Sequence, residues 1–278
     1  MLERSRMESE LAQLELIRDP EQRTRVPTTG TLGLPLRWVC WLRRPEVAPR
    51  PLSFGAGTGV LIGPRHVLTA AHVLVEESDP GKTVGNRLMV QIARNGTDAP
   101  FHAVKVRGWQ VDPRAVVRVV GRWRRQPQFD YGLVTLKEDV SGWSERRLGG
   151  CTLSWWGAAN QCGHRSQIGL AVADVAGQDV EVTGHPYDKP RGTMWTASGQ
   201  IQFDNVANVL RHTADTLPGQ SGAPIWLMEN GAPRLVGVHS GPGALRQGGM
   251  RQRYVNNVGV LLTHDIVQRL ESWKQTFR

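Results

Sequence analysis

The stretch GTGVLIGPRHVLTAAHVL, residues 57–74, decides how the fold is read. Two short runs, GVLIG and HVLTA, are separated by little more than Gly63-Pro64-Arg65. Val, Ile, Leu and Thr crowd both runs, and a Gly-Pro turn joins them, which predicts a pair of β-strands. His72 follows just past the second strand, behind Ala70 and Ala71. Two alanines let other backbone come close, so an imidazole there is held rigidly at a rim. Taken in isolation, the same histidine also reads as a satisfied structural residue.

The texture of this stretch continues in both directions. LRWVCWL, LMVQIA, YGLVTL, VEVTG, IQFD, VLRHTA, APIWLM and LVGVHS alternate with Gly, Pro, Asn and Asp. Strands this short and frequent indicate an all-β sandwich or barrel set. The two ends differ. Met7, Leu11, Leu14 and Leu16 fall at roughly helical spacing, predicting a short amphipathic N-terminal helix. THDIVQRLESWKQTF, residues 263–277, puts Ile266, Val267, Leu270 and Trp273 on one face, with Thr263 as N-cap and Asp265 in the first turn.

Composition narrows the function classes. The chain has 278 residues and is 40% apolar, enough for one large β domain or two small ones around a cleft. No apolar run approaches the roughly 20 residues that span a bilayer, so no membrane partner is expected. MLERSRMESE carries no apolar core behind it, which argues against a secretory signal. A cytoplasmic location is therefore favoured, with another export route or a trimmed leader as the alternative. The net charge of +9 suits nucleic acid, anionic membranes or acidic polypeptides. RVVGRWRRQPQF, residues 118–129, is the densest arginine run. It reads as a solvated loop or strand edge rather than a phosphate-stacking surface, and no nucleic-acid module lies beside it. Of three cysteines, Cys40 reads as core, while Cys151 and Cys162 either pair or stay reduced. No Cys-x-x-Cys occurs and no histidine joins a cysteine at ligand spacing, so no metal is expected.

DTLPGQSGAPIW, residues 215–226, sets Ser221 between small residues. A serine here is either a turn residue or a nucleophile. A hydroxyl near neutral pH needs a base, and the base needs an orienting group. His72 is the best-placed base. Asp130, in QFDYGLVTL, stands at the mouth of an apolar strand, where burying a carboxylate is costly without a partner. The N–H groups of Gly219 and Ser221 would point at one spot, where negative charge develops on an attacked carbonyl oxygen. Three residues in the order His, Asp, Ser weaken each bland reading together.

TAAH, DYGLV and GQSGAP resemble the three catalytic boxes of chymotrypsin-like serine proteases. More narrowly, the chain is similar to the bacterial glutamyl endopeptidases from about Leu16 to Trp273. RTRVPTT, VTGHPYDKPRGTMW, HTADTLPGQSGAPIW and VGVHSG carry that likeness. The resemblance implies two six-stranded Greek-key β-barrels with the site between them and a C-terminal helix outside. The expected divisions are an N-terminal segment at 1–25, barrels at 26–145 and 146–262, and the helix at 263–278. The resemblance further implies His72 as base and acid, Asp130 as its partner, Ser221 as nucleophile, and no cofactor. By motif position, Thr216 and His239 would receive the substrate's carboxylate. The backbone of Ser240, Gly241 and Pro242 would pair with the substrate as an extra strand. The expected partner is thus a polypeptide with an acidic residue before the cut bond.

Several features qualify this likeness. Asp215 pointing into the pocket would favour Lys or Arg instead, and it is expected to turn away. His72 is followed by Val rather than the cysteine of disulfide-bonded relatives. Relatives' mature chains begin near Leu16, so Glu15–Leu16 is a candidate self-processing bond, with residues 1–15 as a pro-segment or an ordinary surface helix. Two rivals stay open: a protease cutting after Arg or Lys, and an inactive protease fold serving as a basic binding module. An α/β-hydrolase esterase fits poorly, because Ala223 stands where its Gly-x-Ser-x-Gly elbow needs glycine. GAGTG at 55–59 lacks dinucleotide-fingerprint spacing.

Overall fold

The hairpin of residues 57–74 forms strands Gly57–Gly63 and His66–Thr69, antiparallel, with Val60 opposite Leu68. Every residue of both strands is buried. Strands covered on both faces need apolar side chains at consecutive positions, which is why these runs do not alternate. The computed structural model describes residues 17, 20–44, 57–76, 79–119, 122–158, 166–169, 176–203, 207–245 and 253–277. The expected N-terminal helix and the Glu15–Leu16 bond lie outside them.

Twelve strands build two closed barrels. The first contains β1 (Val39–Arg43), β2 (Gly57–Gly63), β3 (His66–Thr69), β4 (Met89–Ile92), β5 (Val104–Val111) and β6 (Gly132–Leu136). Around the ring the order is β1-β2-β3-β6-β5-β4, closed by Cys40 opposite Ile92. The second contains β7 (Asp179–Gly184), β8 (Trp195–Phe203), β9 (Val209–His212), β10 (Pro224–Glu229), β11 (Ala232–Leu245) and β12 (Arg253–Leu261). Its order is β7-β8-β9-β12-β11-β10, closed by Val182 opposite Ile225. Both rings run first, second, third, sixth, fifth, fourth, the Greek-key order, and closure leaves neither barrel with a long bare edge.

The joint between the barrels is specific. Trp156, fully buried in the linker, donates its backbone N–H to Leu61 O at 2.9 Å and packs its ring against Trp38 and Trp226. Thr58 of β2 donates its N–H to Ser221 O at 2.9 Å and its hydroxyl to Gly219 O at 2.8 Å. One apolar cluster therefore runs from Cys40 and Leu133 through Trp156 to Val260, and a second fills the other barrel around Val182, Ala197 and Ile225.

The terminal helix α1 spans His264–Trp273 and buries Ile266 and Leu270. Thr263 takes the extended N-cap backbone, but its side chain makes no capping bond. Although it follows the second barrel in sequence, the helix docks on the first. Trp273 stacks on Tyr131 at 5.6 Å, and Arg269 bonds Asp112. Near the other end, Thr24–Arg25 pair with Thr196 and Trp195 of β8, and Arg23 grips Asp188 with two bonds of 2.9 and 2.6 Å. Cys40 is a buried free thiol, and Cys151 is disulfide-bonded.

Candidate active site

Asp130 ends a short 3-10 turn, Pro127–Phe129, and enters the cleft just ahead of β6. Its carboxylate is fully buried. One oxygen accepts the His72 backbone N–H at 2.9 Å, and the other meets His72 Nδ1 at 2.7 Å and accepts the Ser240 hydroxyl. Burial alone would raise this acid's pKa. The imidazole, Arg125 and the Ser240 hydroxyl outweigh that and hold it below the ordinary carboxylate range. An ionised carboxylate keeps Nδ1 as the donor, which leaves Nε2 as the basic nitrogen. His72 sits on the turn Ala71–Val73 behind β3, partly exposed, as the two preceding alanines predict.

Ser221 lies in the turn before β10, and tight packing brings that turn to the same rim. Gly222 has φ +85°, and a Cβ there would fall 2.2 Å from Thr58 O and 2.9 Å from Ala70 N. The glycine thus lets the serine's loop touch the backbone two residues ahead of His72. Gly219 has φ +101°, and its Cβ position is 2.4 Å from the Tyr187 ring and 2.5 Å from His185 O. The HPYDKPRGTMW segment is therefore the bed under this turn: Tyr187 N–H donates to Pro218 O at 2.9 Å, and His185 N–H to Thr58 Oγ1 at 3.0 Å. Among the described residues, the N–H groups of Gly219 and Ser221 bond to no acceptor.

Thr216 and His239 are both fully buried. The Thr216 hydroxyl has no hydrogen-bond partner among the described residues. His239 Nδ1 lies 3.1 Å from Nε2 of His212. Burial and the neighbouring His239 push the His212 pKa well down, so His212 is neutral near pH 7. Asp215 accepts the Gln22 N–H at 2.9 Å and is fully buried. That bond ties it to the N-terminal strap.

Two residues escaped the sequence reading. His212 lies two positions after Leu210, and both are buried while Arg211 between them is half-buried. A histidine on the inward face of a strand is a signal that period-two alternation offers. Arg125 was counted in a solvated arginine run. It ends a hairpin in which Val116–Val119 pair with Arg122–Arg125. Arg125 Nη1 lies 3.0 Å from His72 Nδ1, 3.2 Å from Ser240 O and 3.6 Å from Asp130 Oδ2. Nothing in the sequence separates it from Arg122 or Arg124.

A pair of closed barrels, a buried aspartate on a histidine, and a glycine-framed serine turn packed on the backbone just ahead of that histidine describe a class, and comparison with known proteins agrees. The model of the trypsin-like peptidase domain matches residues 57–238, and the chain belongs to that family. It is a serine endopeptidase whose likeness is to the glutamyl endopeptidase branch. The glutamyl endopeptidase of Bacillus licheniformis is 27% identical over 257 residues, which cover 92% of this chain and 68% of that protein. A Bacillus subtilis protein named extracellular metalloprotease is 23% identical over 260 residues, covering 91% of this chain and 68% of its own length. Among the described residues of this chain, no group of three or more His, Cys, Asp or Glu is arranged to hold a metal ion. A solved Glu endopeptidase superposes with a TM-score of 0.65 at 19% identity, covering 93% of this chain and 99% of that one.

Proposed function

We propose that Ser221 is the nucleophile, His72 the base and acid, and Asp130 its orienting partner, and that the enzyme cuts peptide bonds after Glu. Nε2 takes the Ser221 proton as the hydroxyl attacks the carbonyl carbon. The oxyanion forms against the N–H groups of Gly219 and Ser221. Nε2 then protonates the departing amine, and water repeats the sequence on the acyl-enzyme. The observation that carries this reading is the fully buried Asp130 carboxylate on Nδ1 of a partly exposed His72.

The preference for Glu rests on the pocket floor. The buried Thr216 hydroxyl, without a partner among the described residues, and the buried His239 imidazole, backed by a neutral second imidazole, are donors suited to a carboxylate. Asp215, the group that would attract Arg or Lys, is engaged by Gln22. Ordinary peptides differing only in the residue before the cut test the proposal. Cleavage after Glu, with none after Arg, supports it; fast cleavage after Arg and none after Glu overturns the specificity. Ser221→Ala is expected to lower turnover by about a million-fold and to abolish fluorophosphonate labelling. The Glu15–Leu16 bond fits the same preference, so intact mass should show loss of residues 1–15 in active enzyme and not in Ser221→Ala.

A further inference from the structure

We propose that Arg125 is a specificity residue: it covers the first substrate-pairing carbonyl at rest and, once displaced, receives an acidic side chain one residue ahead of the Glu that precedes the cut. This rests on the preceding reading and extends it to the next subsite.

The argument begins with an open strand edge. Up to Val238, β11 pairs with β10 on one side and β12 on the other. Ser240 falls in a register shift, and Gly241 to Gly243 pair, among the described residues, with β12 alone. A peptide laid along that edge needs the Ser240 carbonyl as its first acceptor. In this structure Arg125 Nη1 already donates to Ser240 O at 3.2 Å. Its Nη2 lies 3.3 Å from where a Cβ on Gly241 would stand, so the guanidinium lies along the same backbone. A substrate N–H and the arginine cannot both hold that carbonyl in the same place.

Strand geometry then fixes what the displaced cation meets. Side chains alternate along an extended peptide. If the Glu before the cut enters toward Thr216 and His239, the preceding side chain turns to the opposite face, where His72 and Arg125 stand. Among the described residues, Arg125 faces the Asp130 carboxylate and the His72 imidazole. Asp130 is fully buried and keeps His72 and Ser240 as hydrogen-bond partners, so Arg125, which adds an ion pair to it at 3.6 Å, is the group with an exposed side to turn outward. Its side chain is 24% exposed, which gives it room to move. An acid at this position compensates the bond Arg125 gives up at Ser240 and the ion pair it loosens at Asp130, and a neutral residue does not.

Peptides of the form Xaa-Glu, with Xaa as Glu, Ala or Lys, test this in wild-type enzyme and in Arg125→Gln and Arg125→Lys. A preference for Glu-Glu over Ala-Glu of roughly tenfold in kcat/KM is expected, the worth of one charge-assisted hydrogen bond. Lys-Glu should be the poorest. Arg125→Gln lowers turnover on every peptide through Asp130, but beyond that common loss it should flatten the series, and Arg125→Lys should restore part of it. A flat series in the wild type, or one unchanged in Arg125→Gln, overturns the inference while leaving the Glu preference intact. No cleavage after Glu in any of the peptides overturns the underlying reading instead. Fluorophosphonate labelling of each variant separates a misfolded protein from one that has lost selectivity.

Discussion

At the scale of single residues, the site depends on side chains that are absent as much as on those present. Gly222 permits the serine loop to lie on β2 and β3, so Gly222→Ala forces a Cβ into Thr69 Oγ1 and Thr58 O at φ +85°. Overpacking of this kind costs about 1–3 kcal/mol, and it moves Ser221 from the rim that holds His72. The expected result is a lower denaturant midpoint together with near-complete loss of peptidase activity. Retained activity would show that the loop does not need this contact. Thr216 makes the converse case. Its hydroxyl is buried without a partner among the described residues, so Thr216→Val relieves an unsatisfied group and should leave the melting temperature unchanged or slightly higher. Cleavage after Glu should nonetheless fall roughly 10- to 100-fold, the loss expected when a carboxylate loses one donor. Equal losses for Glu and non-Glu peptides would remove Thr216 from the pocket.

At the scale of elements, the terminal helix is tied to the barrel it does not follow in sequence. Asp112, after β5, is buried and accepts three bonds from Arg114, two from its side chain at 2.8 and 2.7 Å and one from its backbone N–H at 3.0 Å, with one from Tyr131 at 2.8 Å and one from Arg269 of α1. Burial would raise its pKa, but the Arg114 and Tyr131 bonds outweigh this and bring it to about 2. The folded value lies below the unfolded one, near 3.9. The stability it contributes is therefore present above about pH 4 and is lost as pH falls through 2. Allowing for screening of the partly exposed arginines, about 1–2 kcal/mol is at stake. Asp112→Asn should be less stable than wild type at pH 7, and the gap should narrow between pH 4 and 2. A gap independent of pH would mean that the charge does not hold the helix. This element also marks how far sequence reading reaches. The apolar face of Ile266, Val267, Leu270 and Trp273 was readable from spacing, because helical period is a local property. The docking partner was not, because Arg269 and Asp112 stand 157 residues apart. The same contrast divides the site. His72, Asp130 and Ser221 stand in distinctive local contexts, whereas Arg125 sits in a run of similar arginines and gains its place only when the hairpin forms.

At the scale of the whole molecule, the cleft exists only while two separately closed barrels hold one relative position. Closure satisfies each barrel's own hydrogen bonds, so the joint must be held by other contacts, and Trp156 is the fully buried tryptophan that touches both sides of that joint. Its backbone bonds β2, its ring stands 5.2 Å from Trp38 in front of the first barrel and 6.4 Å from Trp226 in β10 of the second. Trp156→Ala should cost about 3–5 kcal/mol, the range for emptying a large aromatic site. Because that loss falls at the joint and not inside either ring, activity should disappear at a lower denaturant concentration than the far-ultraviolet signal of the strands. Trp156→Phe separates volume from bonding. The indole N–H has no partner among the described residues, so its removal forfeits no hydrogen bond. The phenyl variant should lose only the packing of the smaller ring and keep the activity and strand transitions closer together. If Trp156→Ala instead unfolds in one coincident transition, the barrels are coupled mainly through Thr58 and the serine loop, and the cleft is held at its mouth and not at its back.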